Sequence, residues 1–187
     1  ASPLPGSAAD GWWPVSEAMT LFPLGFDPPG ARWYTSSPSN RSPLLLLSIL
    51  AEHQLRGVSR YEPRDVDGKP GRETFCNVHS CDVAEAMGVV LPRGKRANEL
   101  VLWLSSVGGD FGWEKTTAHV ARAAADEGMA AYVAWYNPNS GPGHIAPLQP
   151  SLGVEGLWCS NVGAFNALRT PVSRAFGSLH VDFFVHP

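Results

Sequence analysis

Charged side chains are scarce in this 187-residue sequence, and their scarcity excludes two classes of protein. Charged residues make up 17% of the chain and hydrophobic residues 44%, a composition too apolar for a disordered tail. The formal net charge is −3, and the basic residues are scattered apart from a small group at 93–96. A nucleic-acid-binding protein usually concentrates positive charge on one face, so we expect no nucleic-acid partner. The length suits a single domain.

The sequence also lacks a long apolar run. The longest stretch, 44–50, is interrupted by Ser48 and falls far short of the roughly 20 residues that cross a bilayer. We therefore expect no membrane span. The chain opens on Ala1, without the charged and then apolar segments of a signal peptide. A mature secreted protein would lack these segments too, so this feature leaves the localisation open.

Three cysteines are too few for a disulfide framework. They allow one bridge and one thiol, and Cys81 with Cys159 is the natural pair if Cys76 is catalytic. Three reduced cysteines agree with the sequence equally well. Cys76, His79 and Cys81 follow a spacing that no common zinc site uses, so we expect neither a metal nor a cofactor.

Turn-forming residues and aromatic residues share the first part of the chain. Residues 1–41 are rich in Pro, Gly and Ser, and large aromatic rings lie between them. A free linker would gain nothing from these rings, so we expect 1–41 to wrap the domain. With a helix that begins at Pro43, residues 1–57 would form an N-terminal part of the same domain. The remaining residues, 58–187, would form the catalytic core.

The order of the predicted elements indicates the fold class. Helical patterns come first, over 43–56, 76–87, 97–105 and 116–127, and Gly57, Gly88 and Gly128 suit the ends of three of them. Strand patterns follow, over 129–136, 144–148, 156–162 and 179–186. Helices followed by strands predict an α+β domain with an antiparallel sheet.

Cys76 and His144 are the residues best placed for chemistry. Cys76 lies at the start of a predicted helix, where unpaired amides and the helix dipole stabilise a thiolate and can bind an oxyanion. His144 follows a Gly-Pro-Gly turn and opens a predicted strand. A buried structural role is the alternative for each residue alone. Together they match the arrangement of papain-like enzymes, with an early nucleophile on a helix and a late base on a strand.

Several sequence blocks in 58–187 also have a familiar order and spacing. They read RYEPRDVDGKPGRETFCNVHSCDVAEAMG at 60–88, ANELVLWL at 97–104, VAWYNPNSGPGHIAPL at 133–148, CSNVGAFN at 159–166 and VSRAFG at 172–177. These blocks resemble the NlpC/P60 and CHAP amidases, which are papain-like cell-wall hydrolases of bacteria and phages. The first 55 or so residues have no counterpart in the resemblance. It implies an α+β, papain-like fold with N-terminal helices packed on an antiparallel sheet.

The resemblance also assigns roles to individual residues. It implies Cys76 as the nucleophile and His144 as the general base. The residue that orients the imidazole would be Asn161, on the next strand, with Asn166 as the alternative. Tyr61 would line the site and assist the oxyanion, with packing as its alternative role. Asn77 would also belong to the oxyanion side of the site, in the first turn beside the nucleophile, and we expect its side chain to be structural.

The function implied by the resemblance is hydrolysis of amide bonds in peptidoglycan, by an amidase or a D,L-endopeptidase that forms a thioester. Its partner would be peptidoglycan or its stem peptide, and we expect a monomer that acts outside the cytoplasm. Two alternatives remain open. One is a toxin or effector that cleaves a protein amide or isopeptide bond by the same mechanism. The other is a catalytically silent domain that binds glycan through the seven tryptophans.

Overall fold

A computed structural model describes residues 34–56, 58–65 and 72–187. Most of the predicted N-terminal wrap, and the predicted helix stop at Gly57, lie outside the described residues. The same holds for the aromatic anchors of that wrap, which are Trp12, Trp13, Phe22, Phe26 and Trp33. Tyr34, the last of the aromatic residues in 1–41, is described and is partly exposed.

Six α-helices occur in the described residues. They are α1 (Pro43–Arg56), α2 (Val58–Tyr61), α3 (Cys76–Ala86), α4 (Ala97–Ser106), α5 (Ala118–Asp126) and α6 (Val172–Phe176). The four predicted helices are confirmed to within two residues at each end. Ser42 Oγ accepts the Leu45 amide at the start of α1, and Thr117 caps α5 in the same way. The short helices α2 and α6 were not predicted.

The main sheet has six antiparallel strands. Its strands are β3 (Glu114–Thr116), β4 (Ala130–Trp135), β5 (His144–Gln149), β6 (Trp158–Asn161), β7 (Ala167–Pro171) and β8 (Asp182–His186), in the spatial order β3-β8-β4-β5-β6-β7. A separate two-stranded ribbon joins β1 (Arg64–Asp65) to β2 (Arg72–Glu73). The predicted α+β class and antiparallel sheet are confirmed.

The two strands of the main sheet that sequence patterns missed, β3 and β7, are its edges. β3 reads Glu-Lys-Thr and is largely exposed, and β7 is only half-buried along most of its length. An edge strand has one paired neighbour and a weak apolar pattern, so periodicity gives little signal there. The four predicted strands occupy the inner positions of the sheet.

The core lies between the helices and the sheet. Buried side chains of α3, such as Val83 and Ala84, belong to one apolar cluster with Ile145 and Leu148 of β5. Helix α1 adds a further set to the same cluster, namely Leu46, Ile49 and Leu50. Burial of this apolar surface fixes α3 against β5, and the first residues of these two elements are Cys76 and His144. None of the helices described here has the length and apolar character to cross a bilayer.

Candidate active site

The Cys76 thiol lies at the N-terminus of α3 and is almost fully buried, with 3% of the residue exposed. The helix begins as the His79 amide donates to the Phe75 carbonyl at 2.9 Å, so the amides of Cys76 and Asn77 precede the first amide that donates within the helix. The backbone of Ile145, Asn77 and Cys76 itself lies near enough to the sulfur to lower the thiol pKa in part. Ile145 is the residue next to His144. The nucleophile and base candidates are therefore held at the same end of β5.

The predicted low pKa of Cys76 is wrong. Burial raises the pKa of the Cys76 thiol above its ordinary value, while the hydrogen bonds from the three backbone amides lower it in part. The sequence pattern indicates the helix N-terminus but not the depth of the thiol beneath the surface. Removal from water disfavours the thiolate more than these amides favour it.

His144 is oriented by Asn161 through a hydrogen bond of 2.8 Å between Nε2 and Oδ1. The Asn161 amide cannot be reversed without losing a second bond, because its Nδ2 donates to the Phe165 carbonyl at 2.7 Å. Oδ1 can only accept, so Nε2 of the neutral imidazole carries the proton. Nδ1 is then the unprotonated nitrogen that can take a proton from a thiol.

Two residues, Phe176 and Gly163, lie close to the His144 ring. Phe176 lies with its ring centroid 4.7 Å from that of the imidazole. On Gly163 a β-carbon would come within 3.2 Å of His144 Cε1. Burial lowers the pKa of His144, and the hydrogen bond that it donates to Asn161 raises the pKa in part. The surroundings therefore favour a neutral imidazole as well as a neutral thiol.

Asn166, the alternative orienting residue, supports the turn after β6 instead. Its Oδ1 accepts the Gly163 amide at 3.2 Å, and its Nδ2 donates to the Tyr61 carbonyl at 2.9 Å. A second support was not predicted. Gln54 of α1 is buried and donates from Nε2 to the Asn161 carbonyl at 2.9 Å and to Ser160 Oγ at 3.1 Å. Asn161 is thus held by a residue 107 positions earlier in the chain.

The side chains of Tyr61 and Asn77 are engaged elsewhere. Tyr61 is buried, and its hydroxyl donates to Asp82 Oδ2 at 2.5 Å, so this proton is committed to a carboxylate rather than to an oxyanion. Burial, with the Asp82 hydrogen bond, raises the pKa of Tyr61. The Asn77 side chain donates to the Lys95 carbonyl at 2.7 Å, which is the structural role expected for it. Its backbone, by contrast, lies near the Cys76 thiol.

Buried polar residues follow Cys76 along α3. Asp82 accepts hydrogen bonds from Arg60 and Arg93 as well as from Tyr61. His79, one turn after Cys76, is fully buried and has its ring edge-on to Tyr61, with centroids 5.1 Å apart. Within the described part of the chain, neither His79 ring nitrogen has a hydrogen-bond partner. Burial lowers the pKa of His79 to about 3, so this ring is neutral.

The three cysteines are free thiols, and the bridge between Cys81 and Cys159 does not form. Cys81 Sγ lies 3.7 Å from the Pro92 carbonyl, whereas Cys159 pairs with Leu148 and Thr170 inside the sheet. Their burial raises the pKa of both thiols, that of Cys81 to about 11. Across 34–56, 58–65 and 72–187, no three His, Cys, Asp or Glu side chains are grouped to hold a metal ion.

No protein-family model matches this sequence, and no curated protein matches it.

Proposed function

We propose that this protein is a papain-like cysteine hydrolase of the NlpC/P60–CHAP type that cleaves amide bonds in peptidoglycan. One observation carries the proposal. The Cys76 thiol lies beside the backbone of Ile145, the residue next to His144, and Asn161 holds the His144 ring in the tautomer that leaves Nδ1 free of a proton. A nucleophile, a base and a residue that orients the base are the parts that acyl transfer requires.

The first half of the reaction forms a thioester. Cys76 Sγ attacks the carbonyl carbon of the amide, and Nδ1 of His144 takes the thiol proton. His144 then gives this proton to the amide nitrogen, the carbon–nitrogen bond breaks, and the amine leaves. The backbone amides of Cys76 and Asn77, at the N-terminus of α3, are the candidate donors to the tetrahedral oxyanion.

The second half returns the enzyme to its starting state. His144 removes a proton from water, the resulting nucleophile attacks the thioester carbonyl, and the Cys76 thiolate leaves with that proton. The acyl group is released as a carboxylic acid. Because burial favours a neutral thiol and a neutral imidazole, His144 acts as a general base during the attack rather than as half of a preformed ion pair.

Peptidoglycan is proposed as the substrate from the resemblance of 58–187 to cell-wall amidases, which also supports a monomer acting outside the cytoplasm. A toxin or effector would use the same three residues on a protein amide or isopeptide bond. A silent glycan-binding domain is less well supported. The four tryptophans that the structure describes are buried or half-buried, and exposed rings are needed for stacking on sugars. These four are Trp103, Trp113, Trp135 and Trp158.

The test is digestion of purified sacculi, with released fragments identified by mass spectrometry. The wild-type protein should release fragments with one new amine and one new carboxyl end. Cys76→Ala and His144→Ala should release none above background, and the matched control Cys81→Ala should behave as wild type. Equal release by Cys76→Ala would overturn the mechanism. If the protein cleaves a protein amide bond but leaves the sacculi undigested, the result would favour the toxin or effector alternative.

A further inference from the structure

The loop that leads into His144 is hydrogen-bonded at three points to one side chain of a neighbouring helix. Asn98, in the first turn of α4, donates from Nδ2 to the carbonyls of Asn137 and Gly141 at 3.1 and 3.0 Å. Its Oδ1 accepts the Asn137 amide at 2.8 Å. Three hydrogen bonds from one amide therefore join both sides of the loop between β4 and β5.

The loop leaves no space between itself and this amide. On Gly143, a β-carbon would come within 2.2 Å of Asn98 Oδ1 and within 2.6 Å of the Trp135 carbonyl. Real side-chain atoms do not approach so closely, so the residue before His144 must be glycine with Asn98 in place. The loop is closed further by Asn137, whose Nδ2 donates to the Pro142 carbonyl at 3.2 Å.

Asn98 lies on α4, a helix that is packed into the apolar core. Ala97, Leu100 and Val101 of α4 are buried in the apolar core, so the first turn of this helix has a fixed position relative to the sheet. The loop itself reads Asn-Pro-Asn-Ser-Gly-Pro-Gly and is largely exposed. The hydrogen bonds of Asn98 hold the loop against α4. Because Gly143 ends this loop, they also restrict the position of His144, the first residue of β5.

We propose that Asn98 is a positioning residue for His144, which sets the place of the imidazole relative to Cys76 without touching the substrate. This role rests on the proposed function of Cys76 and His144. An asparagine is required because one group must accept the Asn137 amide and donate to two carbonyls. Aspartate keeps the acceptor but places a negative charge beside both carbonyls. A displacement of about 1 Å in a reacting group can cost roughly 100-fold in rate.

The experiment compares Asn98→Ala and Asn98→Asp with Asn139→Ala. Asn139 lies in the same loop, is exposed, and its backbone amide rather than its side chain makes the bond to Asn137. Per folded molecule, both Asn98 variants should lose roughly 10- to 100-fold in kcat on sacculi with a smaller change in KM. Asn139→Ala should retain wild-type kcat. If Asn98→Ala does not fold, Asn98→Ser carries the same expectation.

A second readout does not depend on hydrolysis. Nitrogen-15 NMR of the imidazole should show that the pKa of His144 moves up toward its ordinary value in the Asn98 variants, because the displaced ring gains water. Wild-type kcat together with an unchanged His144 titration in Asn98→Ala would overturn the proposal. Wild-type kcat in Asn98→Asp would overturn it as well. If wild-type protein leaves sacculi intact, the proposed function fails, and the His144 titration still decides the role of Asn98.

Discussion

Cys76 and His144 are held in surroundings that favour their uncharged forms. The thiol is buried at the N-terminus of α3, and the imidazole is packed against Phe176 and close to Gly163. The sequence pattern predicted a thiolate from the helix N-terminus alone. Burial has the opposite effect on the thiol pKa, and no local pattern reports how many distant side chains will cover a residue.

The charge state of Cys76 can be measured through its alkylation. Because burial raises the thiol pKa, we expect the rate with iodoacetamide to rise with pH from 7 to beyond 9, following the thiolate fraction. Peptide mapping by mass spectrometry would follow Cys76 separately from the other two thiols. Fast alkylation that is independent of pH between 5 and 8 would instead indicate a preformed thiolate–imidazolium pair.

Asn161 should affect the rate of the chemical step more than substrate binding. In Asn161→Ala the imidazole loses the acceptor that fixes its tautomer and rotation. We expect kcat to fall about 100-fold, at the lower end of what general acid–base catalysis contributes, with KM changed less. Asn166→Ala is the comparison, since Asn166 binds the same turn without contacting His144. Equal losses in the two variants would remove the special role of Asn161.

His79 should make stability depend on pH. Its pKa is about 3 in the folded protein against an ordinary value of 6.5, so the unfolded chain binds more protons below pH 6.5. The contribution of neutral, buried His79 to the free energy of unfolding is complete above pH 6.5, and it is lost as the pH falls toward 3. At about 1.4 kcal/mol per pH unit, the stability lost between pH 7 and pH 4.5 is on the order of 2–3 kcal/mol.

Urea unfolding at these two pH values tests the role of His79. His79→Phe keeps an aromatic ring against Tyr61 and removes the titrating nitrogens, so its stability should fall less on acidification than that of the wild type. His119→Phe is the matched control, because His119 is exposed on α5. If all three proteins lose the same stability, His79 does not carry this dependence.

At the scale of elements, local signals located most helices and the inner strands. Pro43 marked the start of α1, and Gly88 and Gly128, both with positive φ, follow α3 and α5. The supports of the site were not visible in the same way. Gln54 is 107 residues from the carbonyl that it binds, and Tyr61 is 21 residues from its acceptor. Such pairings depend on how whole elements pack.

Gln54 shows that α1 supports the site as well as the core. Gln54→Ala would leave the Asn161 carbonyl and Ser160 Oγ without this buried donor, at a cost of about 1–3 kcal/mol in unfolding free energy. We also expect lower kcat per folded molecule, because Asn161 is released. Gln149→Ala is the control, since Gln149 is buried and binds the Leu168 carbonyl at the other end of β5. It should lose stability alone, and the same loss of kcat there would contradict the account.

At the scale of the whole molecule, the order of helices before strands was sufficient to predict an α+β domain with an antiparallel sheet. That order places Cys76 at the start of α3 and His144 at the start of β5, and the packing of α3 on β5 brings their surroundings together. The identity of the base-orienting residue depended on a resemblance rather than on a pattern. The roles of Tyr61 and Asn166 could not be predicted because their partners lie in other elements.

The central claim is that Cys76 carries the acyl group during turnover. The most direct measurement is acid quenching of wild-type protein during digestion of sacculi, followed by mass spectrometry of its peptides. The account predicts an acyl adduct on Cys76 that neutral hydroxylamine removes, and no such adduct on Cys81 or Cys159. An adduct on another residue, or fragment release that continues in Cys76→Ala, would contradict it.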